Sequence, residues 1–531
     1  MAEGDNPARV PFYYRHFWKN ILLLFLSLAC IPLSAGLVLL CLAVSKLHGN
    51  RNWTFSKEHR NHGAAIRQRK TILVTGVSMT KGLAIARNLA RHTPHRIIGA
   101  DTSALSPGRF SSLISKFYRL DSPNGDDPEP YVDSILSVIQ REKVDLWISC
   151  SSVVAAVEDG QVVRLAEKQA RTHGRKFEAI QFREDIVEKF HEKDKFIAYI
   201  ESLKLPVPES HRCTSPTQAL DVLMRELHSR YSHSPGKPRK KPQEISSTVG
   251  TQYLMKPIGV DDKARNNMMT LLPFSSVDAT TKYIRSLNIS PTNPFQLQQY
   301  IRGAEYCTHA LVVRGKVKAF TSCPSSELLM HYEPLPAYSR LSQEMLRFTQ
   351  RVCQAGGDAF TGHLSFDFLV QRSGNEGLEG EDVELFPIEC NPRAHTAVVL
   401  FDQTPELADT YLAVFGASSA LADSCKSTQV PVFPKAPASS YYWLGHDLVT
   451  LAILPLLDFV FGKASRKDVA RCMREFAHHV VYWRDGTLAL DDPWPFFVLY
   501  HGFWPARFVE ALWKRRAWSR INVSTTKMFE G

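Results

Sequence analysis

The 531-residue chain has no CxxC pair and no regular cysteine frame; its ten cysteines (30, 41, 150, 213, 307, 323, 353, 390, 425, 472) are scattered. That spacing argues against a disulfide scaffold and against a zinc site, and it fits a reducing compartment. G-x-G-x-x-G is missing as well, so dinucleotide binding has little support. Only one long uncharged apolar run occurs, at residues 21–44. Charge of one sign never dominates a long stretch. The net +11 comes from spread basic residues that cluster near 46–70 and 235–241. Such runs are solvated faces or linkers, so no nucleic-acid partner is expected, while an acidic membrane surface stays open. The remainder is ordinary globular composition, 44% apolar and 22% charged, in a chain too long for one core. About two to four domains follow.

The apolar run is long enough to cross a bilayer, and Pro32 and Gly36, unwelcome in a soluble helix, are tolerated in a membrane one. A cleaved signal peptide would have a shorter apolar region and an A-x-A site after it, which this chain lacks. Arg9, Arg15 and Lys19 precede the run; Lys46, Arg51, Lys57, Arg60, Arg67, Arg69 and Lys70 follow it. The positive-inside rule therefore predicts a single-pass membrane protein with everything after residue 45 in the cytosol. The N-x-S/T sequons at Asn52, Asn288 and Asn522 would then be silent.

After a short tail (1–20) and the membrane helix (21–45), residues 70–183 alternate strand and helix. A strand at 71–75, Gly76, Gly82, a helix near 81–91 and a strand at 97–101 form a Rossmann-like opening. A helix at 131–141 and a strand at 144–150 continue it, predicting a parallel three-layer scaffold domain. Residues 184–415 form the next domain, interrupted near 230–248 by a proline-rich basic insertion expected to be disordered. Residues 416–531 are a mixed extension, aromatic at 440–464 and 491–518. A helix covering the core suits Pro495, Pro505 and the irregular aromatic spacing better than an interfacial helix does, with membrane contact as the other reading.

Phe386-Pro387-Ile388-Glu389-Cys390-Asn391-Pro392-Arg393-Ala394-His395 reads as a buried strand ending in a carboxylate, a carboxamide and a guanidinium. Glu389 and Asn391 lie two apart and share a strand face. They are hard ligands suited to Mg²⁺, and Arg393 beyond Pro392 offers a fork for a phosphate; the alternative is a solvated strand end. Asp367 lies 389 − 367 = 22 residues earlier, a workable spacing for neighbouring antiparallel strands sharing a metal. Lys256 ends an apolar strand, either as a snorkelling amine or as a phosphate ligand. Strands at 308–313 and 316–322 predict a hairpin across Arg314-Gly315.

The ordered set Lys256, Gln298-Gln299-Tyr300-Ile301-x-Gly303-x-Glu305, Asp367 and Glu389-x-Asn391-Pro392-Arg393 resembles the ATP-grasp superfamily over roughly residues 71–415. Ser106-Pro107-Gly108-Arg109-Phe110-Ser111, Leu287-Asn288-Ile289-Ser290-Pro291, Glu305-Tyr306-Cys307-Thr308-His309, the stretch 388–395 and Asp491-Asp492-Pro493-Trp494-Pro495-Phe496 resemble its mycosporine-glycine synthase branch. The resemblance implies an α/β fold, α+β in the catalytic part. It implies ATP and Mg²⁺, with Mn²⁺ as an alternative. Lys256 would hold an ATP phosphate, Gln298, Gln299 and Ile301 would line the adenine slot, and Glu305 would take the ribose. Asp367, Glu389 and Asn391 would hold the metal, and Arg393 would act with Lys256 on the transferring phosphate. Two departures stand out: Gln299 where many relatives carry glutamate, and no glycine-rich loop after Lys256, where Lys263 or Arg265 would replace amide donors.

The implied reaction phosphorylates an enol oxygen of 4-deoxygadusol, a cyclohexenone, and joins it to glycine or another amino acid. His395 or His309 would assist amine deprotonation. A carboxylate–amine ligase working through an acyl phosphate uses the same nucleotide residues. A non-catalytic, membrane-anchored nucleotide-binding protein is the third reading.

Overall fold

The computed structural model describes residues 12–52, 69–123, 127–232, 251–258, 270–325, 330–373, 382–416 and 430–530. They divide into two compact units, one within Met1–Val187, Cys307–Ser365 and Asn391–Gly531, the other Glu188–Tyr306 and Phe366–Cys390. The whole is mixed α/β, with parallel and antiparallel sheets.

Helix α1 (Phe12–Asn52) contains a segment, His16–Leu47, long and apolar enough to cross a membrane. Its Phe25 and Leu33 face outward. Next come β1 (Thr71–Thr75), α2 (Thr80–His92), β2 (Arg96–Asp101), β3 (Lys116–Arg119), α3 (Glu129–Arg141), β4 (Leu146–Ile148), α4 (Ala156–Thr172) and β5 (Glu178–Ile180). The strands form a parallel sheet in the order β3-β2-β1-β4-β5. The three central residues of β1, Ile72, Leu73 and Val74, are all apolar because both faces of the strand are covered. Ile72 and Val74 pack with Ile85 and Leu89 of α2 on one side, and Leu73 packs with Ile135 of α3 and Val162 of α4 on the other.

The β1–α2 junction needs Gly76 in its turn and Gly82 in the first turn of α2. Gly76 has φ +72°, and a Cβ on Gly82 would sit 2.4 Å from the Gly76 carbonyl oxygen. The chain itself occupies the groups that a dinucleotide would use here. Thr80 N–H donates to Ser524 O at 2.9 Å, and the Asp101 carboxylate accepts from Ser78 N at 2.7 Å and Ser103 N at 3.1 Å.

The second unit begins within α5 (Glu184–His191) and continues through α6 (Lys193–Ser202), β6 (Ser210–Cys213), α7 (Pro216–Ser232), β7 (Tyr253–Pro257), α8 (Val277–Ser286) and β8 (Phe295–Gln299). β6, β8 and β7 form an antiparallel sheet in that order. Ala219 and Leu223 of α7 and Ile284 of α8 cluster with Met255 and Leu297 of its strands. Most of the predicted insertion, and Lys263 and Arg265, lie outside the described residues.

β9 (Ala304–Val313), β10 (Lys316–Pro324), α9 (Arg340–Gly356), β11 (Gly362–Ser373) and β12 (Asp382–Asn391) follow. The four strands run in the order β10-β9-β11-β12. Arg314 and Gly315, at φ 49° and 71°, turn the β9–β10 hairpin where the sequence predicts it. Gly303 admits a close pass of the chain over β11, for a Cβ there would meet Val370 O at 2.2 Å.

The rest of the first unit comprises α10 (Glu406–Leu412), β13 (Tyr441–Tyr442), α11 (Leu444–Asp447), α12 (Leu454–Val460), α13 (Arg466–Tyr482), β14 (Arg484–Asp485), α14 (Trp494–Val498), α15 (Trp504–Trp513), β15 (Trp518–Asn522) and β16 (Lys527–Glu530). π-helical turns join α11 to α12 and α14 to α15. Pro505 has no N–H to return to the Tyr500 carbonyl, and that oxygen instead accepts from Ser27 Oγ of α1 at 2.8 Å. Lys19 of α1 donates to Ser519 O at 3.0 Å, and Asn20 Oδ1 accepts from Trp518 Nε1 at 3.1 Å. Phe503, Trp504, Phe508 and Trp518 are buried, whereas Trp513 is 87% exposed.

Asp491 and Asp492 act as a strut to α2. Arg87 donates to Asp492 Oδ2 at 2.9 Å and to the Thr487 carbonyl at 2.8 Å, with both side chains buried. Asp492 also accepts from Ser111 Oγ at 2.6 Å, while Arg91 pairs with Asp491 and Asp402. Ser111 and Asp492, drawn from two motifs set apart by the sequence, therefore meet as mutual supports.

Candidate active site

Lys256 stands near the end of β7, and the pairing of Leu254 with Gln298 sets it beside β8. Its Nζ donates to Gln298 Oε1 at 2.6 Å, and Gln298 Nε2 donates to Ser210 Oγ on β6 at 3.3 Å. A side-chain row across three strands thus holds the amine. Loss of water, reinforced by the nearby Lys193, lowers the Lys256 pKa to about 8, against the opposing pull of Glu389 and Glu305. Lys193, the first residue of α6, lies 3.6 Å from Glu389 Oε2. The second unit therefore sets two ammonium groups and two carboxylates in one electrostatic field.

Sequence reasoning passes over Lys193. Its only signal is its place in Glu192-Lys193-Asp194-Lys195 at a helix start, where any of the charges looks solvated. The neighbours are engaged elsewhere: Lys195 with Glu192, and Asp194 with Arg212.

At the end of β8, Gln299 is a strand tie. Its N–H donates to Glu209 O at 2.7 Å, and its side-chain oxygen accepts from Glu209 N at 3.1 Å. Tyr300 N–H donates to Gln252 O at 2.6 Å, and Ile301 is buried. These two amides of the expected adenine slot are thus committed to neighbouring segments. Glu305 follows Ala304 at the start of β9, Asp367 lies half-buried within β11, and Glu389 is partly exposed on β12. Cys390, between Glu389 and Asn391, is buried at 2%, as the strand period requires.

Asn391 and Arg393 belong to the first unit. Arg393 Nη2 donates to Asn391 Oδ1 at 2.8 Å, and its backbone N–H donates to Asn391 O at 2.8 Å. Within the second unit, Asp367 and Glu389 are carboxylates, hard oxygen donors of the kind Mg²⁺ takes.

The first unit also holds a lysine that the sequence does not single out. Lys81 is buried in the first turn of α2, donating to Ser151 O at 2.9 Å and Ala394 O at 3.0 Å. Burial, and then the charge of Arg393, lower its pKa to about 7. It pins the residue directly after Arg393. His395 N–H donates to His309 Nδ1 at 3.3 Å, and His395 Nδ1 caps the 396–401 turn through Ala397 N. Burial, with Lys81 adding to it, lowers His309 to about 3, and burial likewise holds His395 well below the usual imidazole range. Both histidines are neutral and hydrogen-bonded to backbone amides, a supporting role.

No protein-family model matches the chain, and no curated protein matches it. Among solved structures it is similar to N5-carboxyaminoimidazole synthetase from Staphylococcus aureus complexed with ADP, at 12% identity and TM-score 0.42, over 65% of this chain and 76% of that one. It is similar to L-amino acid ligase from Bacillus licheniformis, at 12% identity and TM-score 0.39, over 61% and 67%. A third is N5-carboxyaminoimidazole synthase from Aspergillus clavatus, at 11% identity and TM-score 0.42, over 70% and 81%. Likenesses this distant transfer no activity, and the chemistry is read from the side chains.

Proposed function

We propose that this protein is an ATP- and Mg²⁺-dependent ligase that forms a carbon–nitrogen bond, phosphorylating 4-deoxygadusol and joining it to glycine or another amino acid. The observation that carries the reading is the second unit's charge arrangement, Lys256 held by Gln298 and Lys193 beside Glu389. A nucleotide polyphosphate needs cations that are fixed before it arrives, and a lysine held by a buried amide meets that need.

In this reading Lys256 and Lys193 neutralise the phosphates, Glu305 accepts from the ribose hydroxyls, and Arg393 steadies the transferring phosphoryl group. Asp367, Glu389 and Asn391 would hold Mg²⁺ or Mn²⁺, which when bound offsets phosphate charge and aligns the phosphoryl group. The phosphoryl group passes from ATP to the acceptor oxygen, leaving ADP. The amine nitrogen then bonds to the acceptor carbon, the carbon–oxygen bond breaks to release phosphate, and the amine proton goes to solvent. Oxide leaves poorly and phosphate leaves well, so alignment and charge neutralisation are most of the protein's task. Helix α1 would attach the enzyme to a membrane. Its Lys19, Asn20 and Ser27 hydrogen-bond to Ser519, Trp518 and Tyr500. This departs from the expected topology, with residues 1–20 across the bilayer from everything after residue 45, because a residue before the span cannot bond to one on its far side.

Mass spectrometry of products from ATP, 4-deoxygadusol and mixed amino acids tests the substrate. Phosphate release that requires a plain carboxylate and ignores the cyclohexenone would transfer the reading to an acyl-phosphate amide ligase. Glu389→Gln and Asp367→Asn are each expected to lose about a hundredfold or more in turnover with unchanged circular dichroism. Wild-type turnover in both would reject the metal assignment.

A further inference from the structure

Three histidine and aspartate side chains converge in the first unit, on segments that carry none of the nucleotide set. His331 precedes Tyr332, whose backbone pairs with Tyr441 through two 2.9 Å hydrogen bonds. Asp447 ends α11, a helix whose first amide, Leu444 N–H, donates to Asp485 Oδ2 at 2.8 Å. His479 lies in the last turn of α13. The three positions are 116 and 32 residues apart in sequence, so only the fold assembles them.

His331 Nε2 lies 2.9 Å from Asp447 Oδ1, and His479 Nδ1 lies 2.7 Å from Asp447 Oδ2. All the ligand atoms fall within 4.8 Å of one another. The Asp447 side chain is fully buried and that of His479 is 7% exposed, while His331, at 25%, faces solvent. Trp483 packs its ring 4.3 Å from His479 and 5.7 Å from His331, limiting the rotation of both imidazoles.

We propose that His331, Asp447 and His479 form a binding site for a borderline divalent transition metal, Zn²⁺ foremost, distinct from the hard-oxygen Mg²⁺ set. Two imidazole nitrogens and a carboxylate oxygen are the donors such ions prefer, whereas Mg²⁺ prefers oxygen alone. Bonds of about 2.0–2.1 Å to a tetrahedral ion separate ligands by about 3.3 Å. The two imidazole–carboxylate contacts would therefore open by about half an ångström, and the most separated pair, within 4.8 Å, would close by up to about 1.5 Å. A buried carboxylate shared between two imidazoles is stabilised by the charge of such an ion. Solvent at the His331 edge supplies the fourth ligand. The ion would join α11 and α13 to the 331–332 segment, a cross-link built without cysteine. The cysteine spacing speaks only against thiolate zinc sites and is silent on this one.

The test uses tag-free, full-length protein in detergent, stripped with chelator, desalted, and loaded with Zn²⁺ in excess Mg²⁺. Elemental mass spectrometry should find one zinc per chain, and Co²⁺ in its place should give visible bands of tetrahedral intensity. His331→Gln alters the solvent-facing ligand, and a folded variant is verified by circular dichroism. It and His479→Gln should each weaken Zn²⁺ binding about tenfold or more, whereas Glu389→Gln should retain it. Zinc content near zero in the wild type, or equal in His331→Gln, His479→Gln and wild type, would overturn the proposal and leave a hydrogen-bonded His–Asp–His trio.

Discussion

Lys256 keeps its charge only up to about pH 8 in the nucleotide-free protein. Nucleotide affinity should therefore weaken as pH rises through that value, and Lys256→Met should bind about tenfold or more weakly without that step. Calorimetric titration with ATP from about pH 6.5 to about pH 9.5 measures both. Lys81 makes a stability prediction of defined sign. Its pKa is 10.5 when unperturbed and about 7 in the fold, so between those values the unfolded chain holds more protons. Stability then rises with pH across that window, by up to about 1.4 kcal/mol per pH unit from this one group. Lys81→Met should lose that part of the slope in denaturant melts at about pH 7 and about pH 9, and parallel slopes in the two proteins would refute the assignment. The two lysines show where residue-level reading stops. Glu389, Asn391 and Asp367 stand out in the sequence because the strand period puts hard oxygens on predictable faces. Lys81 and Lys193 do not, because a lysine at a helix start has the same local context whether its amine ends in water or against a carbonyl 313 residues away.

At the scale of elements, short-range chemistry was readable and long-range support was not. The apolar centre of β1 and the Arg314-Gly315 turn each follow from neighbours a few residues apart. The Asp491-Asp492 segment carries no such signal, since its partners Arg91 and Arg87 lie 400 and 405 residues away. Removing either side of that buried pair leaves an uncompensated charge, so Arg87→Ala or Asp492→Ala should cost about 3–5 kcal/mol in denaturant unfolding. Helix α13 offers a milder case. Ser465 and Asp468 make a reciprocal capping box, and Ser465→Ala should cost about 1 kcal/mol. Because α13 carries His479, the same substitution should leave Zn²⁺ stoichiometry intact if only the far end of the helix frays.

For the whole molecule, the N-terminal run was legible because bilayer thickness sets a length that composition alone can meet. Full-length protein should resist carbonate extraction from membranes, while a chain lacking residues 1–52 should become extractable. Protease protection of sealed vesicles reports which side the remainder occupies. The division into two units was less visible, since β9, β11 and β12 pass from one to the other without a composition shift at the crossing. The contact of Lys19 with Ser519 spans 500 residues, and it has a consequence for biosynthesis. Ribosomes add about 5–20 residues per second, so α1 is complete about 25–100 s before the strand that receives Lys19 and Asn20 exists. During that interval the polar end of the helix must be held by water, headgroups or a chaperone. A chain arrested before Trp518 would never complete that handover, and such a product should be the preferred target of membrane quality control.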